Sequence, residues 1–291
     1  MLVLPAPMGP TRTRLGAGFI TVDANILALQ SGMAQGVTVA MESARCIVVA
    51  GAGDVGIRLA RLRARAGDDA VALRRRDVAD EPGIRHLRVD LASGEGFARL
   101  PRRPDALVFC AAPDERSEQA YRRLFVDGLR RLLDGVEATR VIFVSSTAVF
   151  SEDAGEWVDE TTPARATSFN GRILLEAEAD LAAHREAIAL RFSGIYGPGR
   201  DYLLWRARGG ESNRRHWTNR IHVDDAAAAL SHLLDLPAPE RCYLGNDDAP
   251  VLECDVMAWL RQHEGLPLLP AATGAETGRR VSNGRLRRTG W

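Results

Sequence analysis

The 291-residue chain contains no lysine; all 38 of its basic residues are arginine. That absence excludes a Schiff-base mechanism, a lysine-bearing P-loop, and any acid whose pKa is set by a neighbouring ammonium group. Cysteine is scarce. The four at positions 46, 110, 242 and 254 form no C-x-x-C pair, so neither a disulfide framework nor a cysteine zinc site is expected. Metal ligation is not expected elsewhere either. Isolated thiols fit a reducing, cytoplasmic setting. No apolar run approaches the roughly 20 residues needed to cross a bilayer. Net charge is also missing: 38 acidic residues balance the 38 arginines, leaving no overall field to gather nucleic acid or an anionic membrane.

Residues 1–40 are rich in Gly, Ala, Thr and Pro and differ in composition from the rest of the chain. Asp23 interrupts their one apolar stretch, and no cleavage site follows it, which argues against a signal peptide. The expectation is a disordered or non-native extension ahead of a domain that begins near Met41.

The most informative segment lies just beyond. From Cys46 the chain reads C-I-V-V-A-G-A-G-D-V-G, an apolar run followed at once by Gly51-x-Gly53-x-x-Gly56. An apolar-periodic stretch with Leu59 and Leu62 then begins. Strand, glycine turn and helix start in this order form a dinucleotide-binding signature. Gly51 suits the sharp turn, Gly53 lets a pyrophosphate approach the backbone, and Gly56 lets the helix sit close to the sheet. The N–H groups of the first helical turn and the positive end of the helix dipole then meet the anion. Gly51, Gly53, Asp54, Val55 and Gly56 are therefore the candidate phosphate cradle.

Further strands are expected at 70–73, 87–89, 106–110, 141–144 and 187–192, with helices over 115–136 and 170–184 between them. Strict β/α alternation predicts an α/β fold: a Rossmann-like, doubly wound parallel sheet over residues 41–198. Residues 199–291 are less regular, with helices expected over 223–236 and 252–263 and a strand over 241–244. They are expected to form a smaller C-terminal substrate-side region packed on the first as one unit.

The end of the second strand indicates which dinucleotide is bound. NAD readers carry an acidic residue there, about 20 residues past the glycines, for the ribose diol. This chain has Arg74, Arg75 and Arg76, with Asp77 only afterwards. A planar guanidinium suits a 2′-phosphate, so NADP is expected over NAD. The alternative is a solvated arginine run.

Four further segments carry a resemblance: V-I-F-V-S-S-T-A-V-F (141–150), L-R-F-S-G-I-Y-G-P-G-R (190–200), N-R-I-H-V-D-D-A-A (219–227) and the terminal R-V-S-N-G-R-L-R-R-T-G-W (280–291). With the glycine turn they resemble the short-chain dehydrogenase/reductase superfamily, in its extended NAD(P)-dependent epimerase/dehydratase branch, as an atypical member. The resemblance implies that Asp90 and Leu91 lie near the adenine and Ala111 and Ala112 near the nicotinamide-side ribose. It implies a nucleotide-sugar or other carbonyl/alcohol substrate, and a homodimer through the two long helices.

The catalytic residues depart from the pattern. Ser146 stands where the family has its Ser or Thr. The helix signature Y-G-x-x-K-L-E-A-E reads N-G-R-I-L-L-E-A-E here (170–178), so Asn170 replaces the tyrosine and Leu174 the lysine. A one-residue shift offers Phe169 and Ile173, which exchange no proton either. Ser146, a bound water, or Tyr196 after the sixth strand are the remaining acid/base candidates. The basic loop Arg208–Arg220, with Arg214, Arg215, Trp217 and Arg220, is a candidate clamp for the phosphates of a nucleotide-linked substrate; the alternative is a solvated loop. Two readings stand: an oxidoreductase or epimerase with an altered active site, and a non-catalytic NADP(H)-binding redox sensor or interaction protein.

Overall fold

The computed structural model describes residues 44–184, 186–210 and 214–291; the expectation for residues 1–40 lies outside them. In chain order the elements are β1 (Cys46–Ala50), α1 (Asp54–Arg65), β2 (Asp69–Arg74), β3 (Ile84–Arg88), β4 (Ala106–Phe109), α2 (Glu118–Arg122), α3 (Leu129–Gly135) and β5 (Arg140–Ser146). Then follow β6 (Ala154–Val158), α4 (Phe169–Asp180), β7 (Glu186–Phe192), β8 (Gly194–Tyr196), α5 (Tyr202–Gly209), β9 (His216–Thr218) and β10 (Arg220–His222). The last are α6 (Val223–Asp235), β11 (Cys242–Gly245), β12 (Val251–Leu252), α7 (Glu253–His263), β13 (Thr277–Val281) and α8 (Gly284–Arg288).

Seven strands form one parallel sheet in the order β11-β7-β5-β4-β1-β2-β3. The chain leaves β1 toward β2 and β3 on one side and returns to β4 on the other. The carboxyl ends of β1 and β4 therefore flank the topological switch point, where such sheets bind ligands. The central strands are buried on both faces, so their apolar runs are unbroken. In β1, Ile47 and Val49 pack under α1 and α6 with Leu59, Leu230 and Leu233, whereas Val48 and Ala50 belong to the opposite core with Leu129, Leu132 and Ile173. Ion pairs from Arg63 to Asp235 and from Arg58 to Asp224 tie α1 to α6.

Two small sheets lie outside the expected pattern. One pairs β8 with β10; the other has the order β12-β9-β13-β6. The helix expected over 115–136 is divided by a wider-wound stretch, Arg123–Gly128. A Cβ on Gly128 would lie 2.5 Å from the Leu91 carbonyl oxygen, so close packing is favoured over a uniform helix at that point.

Candidate dinucleotide site

The turn between β1 and α1 has the geometry expected of a phosphate cradle. Gly51 adopts φ +100°, and a Cβ there would strike the backbone of Ala111 at 2.4 Å. The loops after β1 and β4 therefore touch across the switch point. A Cβ on Gly56 would lie 2.3 Å from the Gly51 carbonyl oxygen and 2.9 Å from the Cys110 sulfur. The Cys110 thiol donates to that same carbonyl at 3.3 Å, and burial pushes its pKa up to about 12, so it supports the turn and does not react. Gly53 is the exception: a Cβ built on it meets no atom within 4 Å. It borders open space beside the first turn of α1, whose N–H groups at positions 54–56 have no intrahelical acceptor. A dinucleotide pyrophosphate fits this opening.

Asp54, at the start of α1, accepts hydrogen bonds from Arg58 (3.0 Å) and Arg200 (2.9 Å). Burial alone would raise its pKa; the two guanidinium groups outweigh this and hold the carboxyl below the usual aspartate range. At the end of β2, Arg74 donates from Nη2 to the Ala52 carbonyl at 2.8 Å, which places its charge on the glycine turn itself. Arg75 pairs with Asp114 at the surface, and Arg76 and Asp77 are exposed. Leu91 is core, while Asp90 accepts the Ala92 N–H at 2.9 Å and closes the loop after β3. Val55 is buried against the core under α1; Ala111 is half-buried and Ala112 exposed.

A cleft of about 360 Å³ opens past the carboxyl end of β5. It is lined by Ser146, Thr147 and Ala148, by Ser193 and Gly194, and by His216–Asn219, Gly278 and Arg279. Ser146 accepts the Ala148 N–H at 3.2 Å, which leaves its own O–H free to donate among the described residues. Arg279 binds the carbonyls of Glu152 (2.7 Å), Thr147 (3.0 Å) and Phe150 (2.7 Å). It therefore pins the Ser146 turn to β13.

Tyr196 is not part of this lining. It lies at the end of β8, edge-on to His222 with ring centroids 5.3 Å apart, and burial raises its phenol pKa. His222 Nδ1 accepts the Asp224 N–H at 3.3 Å and so caps α6. On α4, Leu174 is 4% exposed and belongs to the hydrophobic core. Asn170 has a buried Oδ1 with no hydrogen-bond partner among the described residues. A Cβ on the next residue, Gly171, would sit 2.3 Å from the Ala148 carbonyl oxygen, so the helix start is pressed against the Ser146 turn. Arg214 is bonded to Glu253 and Arg215 to Glu276, so neither guanidinium lacks a counter-charge.

Sequence reasoning missed Ser193, Asn219, Arg200 and Arg279 as site-lining or site-linking residues. The last two are two arginines among 38, and composition offers no signal to single them out.

Residues 47–245 match the model of the NAD dependent epimerase/dehydratase family, and the chain belongs to that family. Protein YeeZ of Escherichia coli K12 is 32% identical over 144 residues, which is 48% of this chain and 52% of YeeZ. The chain thus spans about half the length of that relative. A solved structure from Methylobacillus flagellatus, provisionally assigned as an NAD-dependent epimerase/dehydratase, is 36% identical with a TM-score of 0.74, covering 86% of this chain and 93% of its own. UDP-glucuronic acid 4-epimerase from Bacillus cereus, solved with NAD, shares the fold at 14% identity and a TM-score of 0.69, over 84% and 91% of the two chains. Among the described residues no helix is long and apolar enough to cross a membrane.

Proposed function

We propose that this protein binds NADP(H) at the Gly51–Gly56 turn and acts as an oxidoreductase or epimerase on a carbonyl or alcohol substrate held beside Ser146. The observation that carries this reading is the pairing of an open Gly53 at the switch point with a polar cleft at the end of β5, two strands away in the sheet. The bound nicotinamide would supply hydride transfer; the protein need only orient the substrate and manage its proton. Gly53 and the N–H groups of Asp54, Val55 and Gly56 would hold the pyrophosphate. Arg74 and Arg75 would face the 2′-phosphate, Asp90 and Leu91 would border the adenine, and Ala111 and Ala112 the second ribose. Ser146 would donate its free O–H to the substrate oxygen, with water in the open cleft exchanging the proton.

The cleft draws its lining from both sides of residue 198, which supports a substrate-side role for 199–291. A nucleotide-linked substrate is part of the reading, as is a homodimer through α2–α3 and α4, which sedimentation of the purified protein tests. Isolated thiols, none of them paired among the described residues, fit a cytoplasmic setting. The test of the function is incubation with NADPH and a panel of nucleotide sugars and simple carbonyls. Turnover that is lost in Ser146→Ala supports it.

One observation favours a second reading. Leu174 lies in the core and Asn170 carries no titratable group, so neither position supplies a proton relay. A non-catalytic NADP(H) sensor or interaction protein would bind the cofactor tightly, turn nothing over, and change its protein partners when loaded.

A further inference from the structure

An acidic residue at the first position of a helix that receives a pyrophosphate is an electrostatic liability. Here Asp54 is the hub of a charge cluster drawn from three parts of the chain. Arg58, one turn along α1, bonds Asp54 with Nε and Asp224 at the start of α6 with Nη1. Arg200, 146 residues away in sequence, bonds Asp54 with Nε. The two arginines differ in one respect. Arg58 has a second carboxylate, whereas both terminal nitrogens of Arg200 lack a partner among the described residues. Arg200 is exposed and closes the G-P-G-R turn with its N–H on the Gly197 carbonyl at 3.0 Å. It leads directly into Asp201 and α5.

We propose that Arg200 is a cofactor-binding residue: its terminal N–H groups bind the dinucleotide pyrophosphate beside Gly53 and couple the 197–210 segment to cofactor occupancy. This inference rests on the cofactor reading above. A guanidinium held by Nε on Asp54 keeps two nitrogens for a second acceptor, and bidentate donation to phosphate oxygens is the geometry that arginine offers and lysine does not. Asp54 then serves to position the guanidinium and to cancel the surplus charge when no cofactor is bound.

The test is calorimetric titration of the full chain and of Arg200→Ala and Arg200→Gln with NADPH, NADH and adenosine 2′-monophosphate, which lacks the pyrophosphate. Amide exchange over 197–210 is measured with and without NADPH. The expected result is at least a tenfold loss of affinity for both NADPH and NADH, with unchanged affinity for adenosine 2′-monophosphate. NADPH should also slow exchange over 197–210 in the parent protein and not in the variants. NADPH affinity within twofold of the parent, or an equal loss for adenosine 2′-monophosphate, would overturn the inference while leaving the cofactor reading intact. A parent protein that binds no NADPH would overturn both.

Discussion

The glycine turn and the start of α4 both sit at the carboxyl edge of the sheet, and they differ in the chemistry their side chains offer. The turn has the close backbone packing and the open approach that the proposed dinucleotide site calls for. Gly51 and Gly56 are required by backbone approaches of 2.4 and 2.3 Å, Gly53 opens onto free space, and guanidinium groups stand at both ends of the loop. At α4 the packing is close but the two side chains in question carry no titratable group. Gly171 still presses the helix onto the Ser146 turn, but Leu174 is folded into the core and Asn170 carries a buried oxygen unpartnered among the described residues. On the proposed reading, the turn positions a cofactor, whereas positions 170 and 174 offer it no titratable side chain. Binding and turnover are separate questions for this protein.

The largest effect that sharpens the contrast is expected at Leu174. Restoring the family's lysine with Leu174→Lys buries an unpaired ammonium among apolar side chains and is expected to cost about 3 kcal/mol or more. Chemical denaturation measures it. A variant as stable as the parent would show that position 174 reaches solvent or the cofactor, and the contrast would fail. Next is Gly56→Ala, whose Cβ must displace backbone and the Cys110 sulfur. A loss of about 1–3 kcal/mol is expected, together with loss of NADPH binding.

Gly53→Ala separates the two roles of the turn. Its methyl group has room and its φ of −74° is ordinary, so the stability should stay within about 0.5 kcal/mol of the parent. NADPH affinity should nevertheless fall about tenfold or more, roughly 1.4 kcal/mol, because the methyl occupies the pyrophosphate approach. Unchanged affinity would argue that the anion lies elsewhere.

The smallest effect concerns Asp247, which follows β11. Burial pushes its carboxyl up to about 6, against opposing help from the Ala249 N–H and Arg220. Between the ordinary aspartate value and 6 the folded state holds more proton than the unfolded chain, so this group's contribution to stability falls as pH rises through that window. Asp247→Asn should therefore raise the melting temperature at pH 7–8, with the gain shrinking toward pH 4. A pH-independent difference would contradict the assignment.

The parts of this molecule legible in the sequence are those whose signal is local. The central strands announce themselves as runs such as Ile47–Ala50 and Val141–Val144 because both faces are buried, and the glycine turn has a fixed spacing. The third strand, expected at 87–89, is observed at Ile84–Arg88. It is the sheet edge, so I-R-H-L-R has no apolar run to mark it. The small sheets are invisible for another reason. Ala154–Val158 pairs with Thr277–Val281, more than 100 residues away, and each is short, with no apolar run to mark it. The site divides the same way. The replacement of Tyr and Lys by Asn170 and Leu174 could be read from a motif, whereas the contacts of Arg200 and Arg279 depend on tertiary structure.

The central claim, a working dinucleotide cradle beside an altered catalytic helix, is tested most directly by titrating the purified protein with NADPH and with NADH. The account predicts saturable binding of one NADPH per chain, tighter than NADH by tenfold or more and brought toward parity in Arg74→Ala/Arg75→Ala. The absence of saturable NADPH binding would contradict the cradle itself, and equal affinity for the two nucleotides would contradict the role given to Arg74 and Arg75.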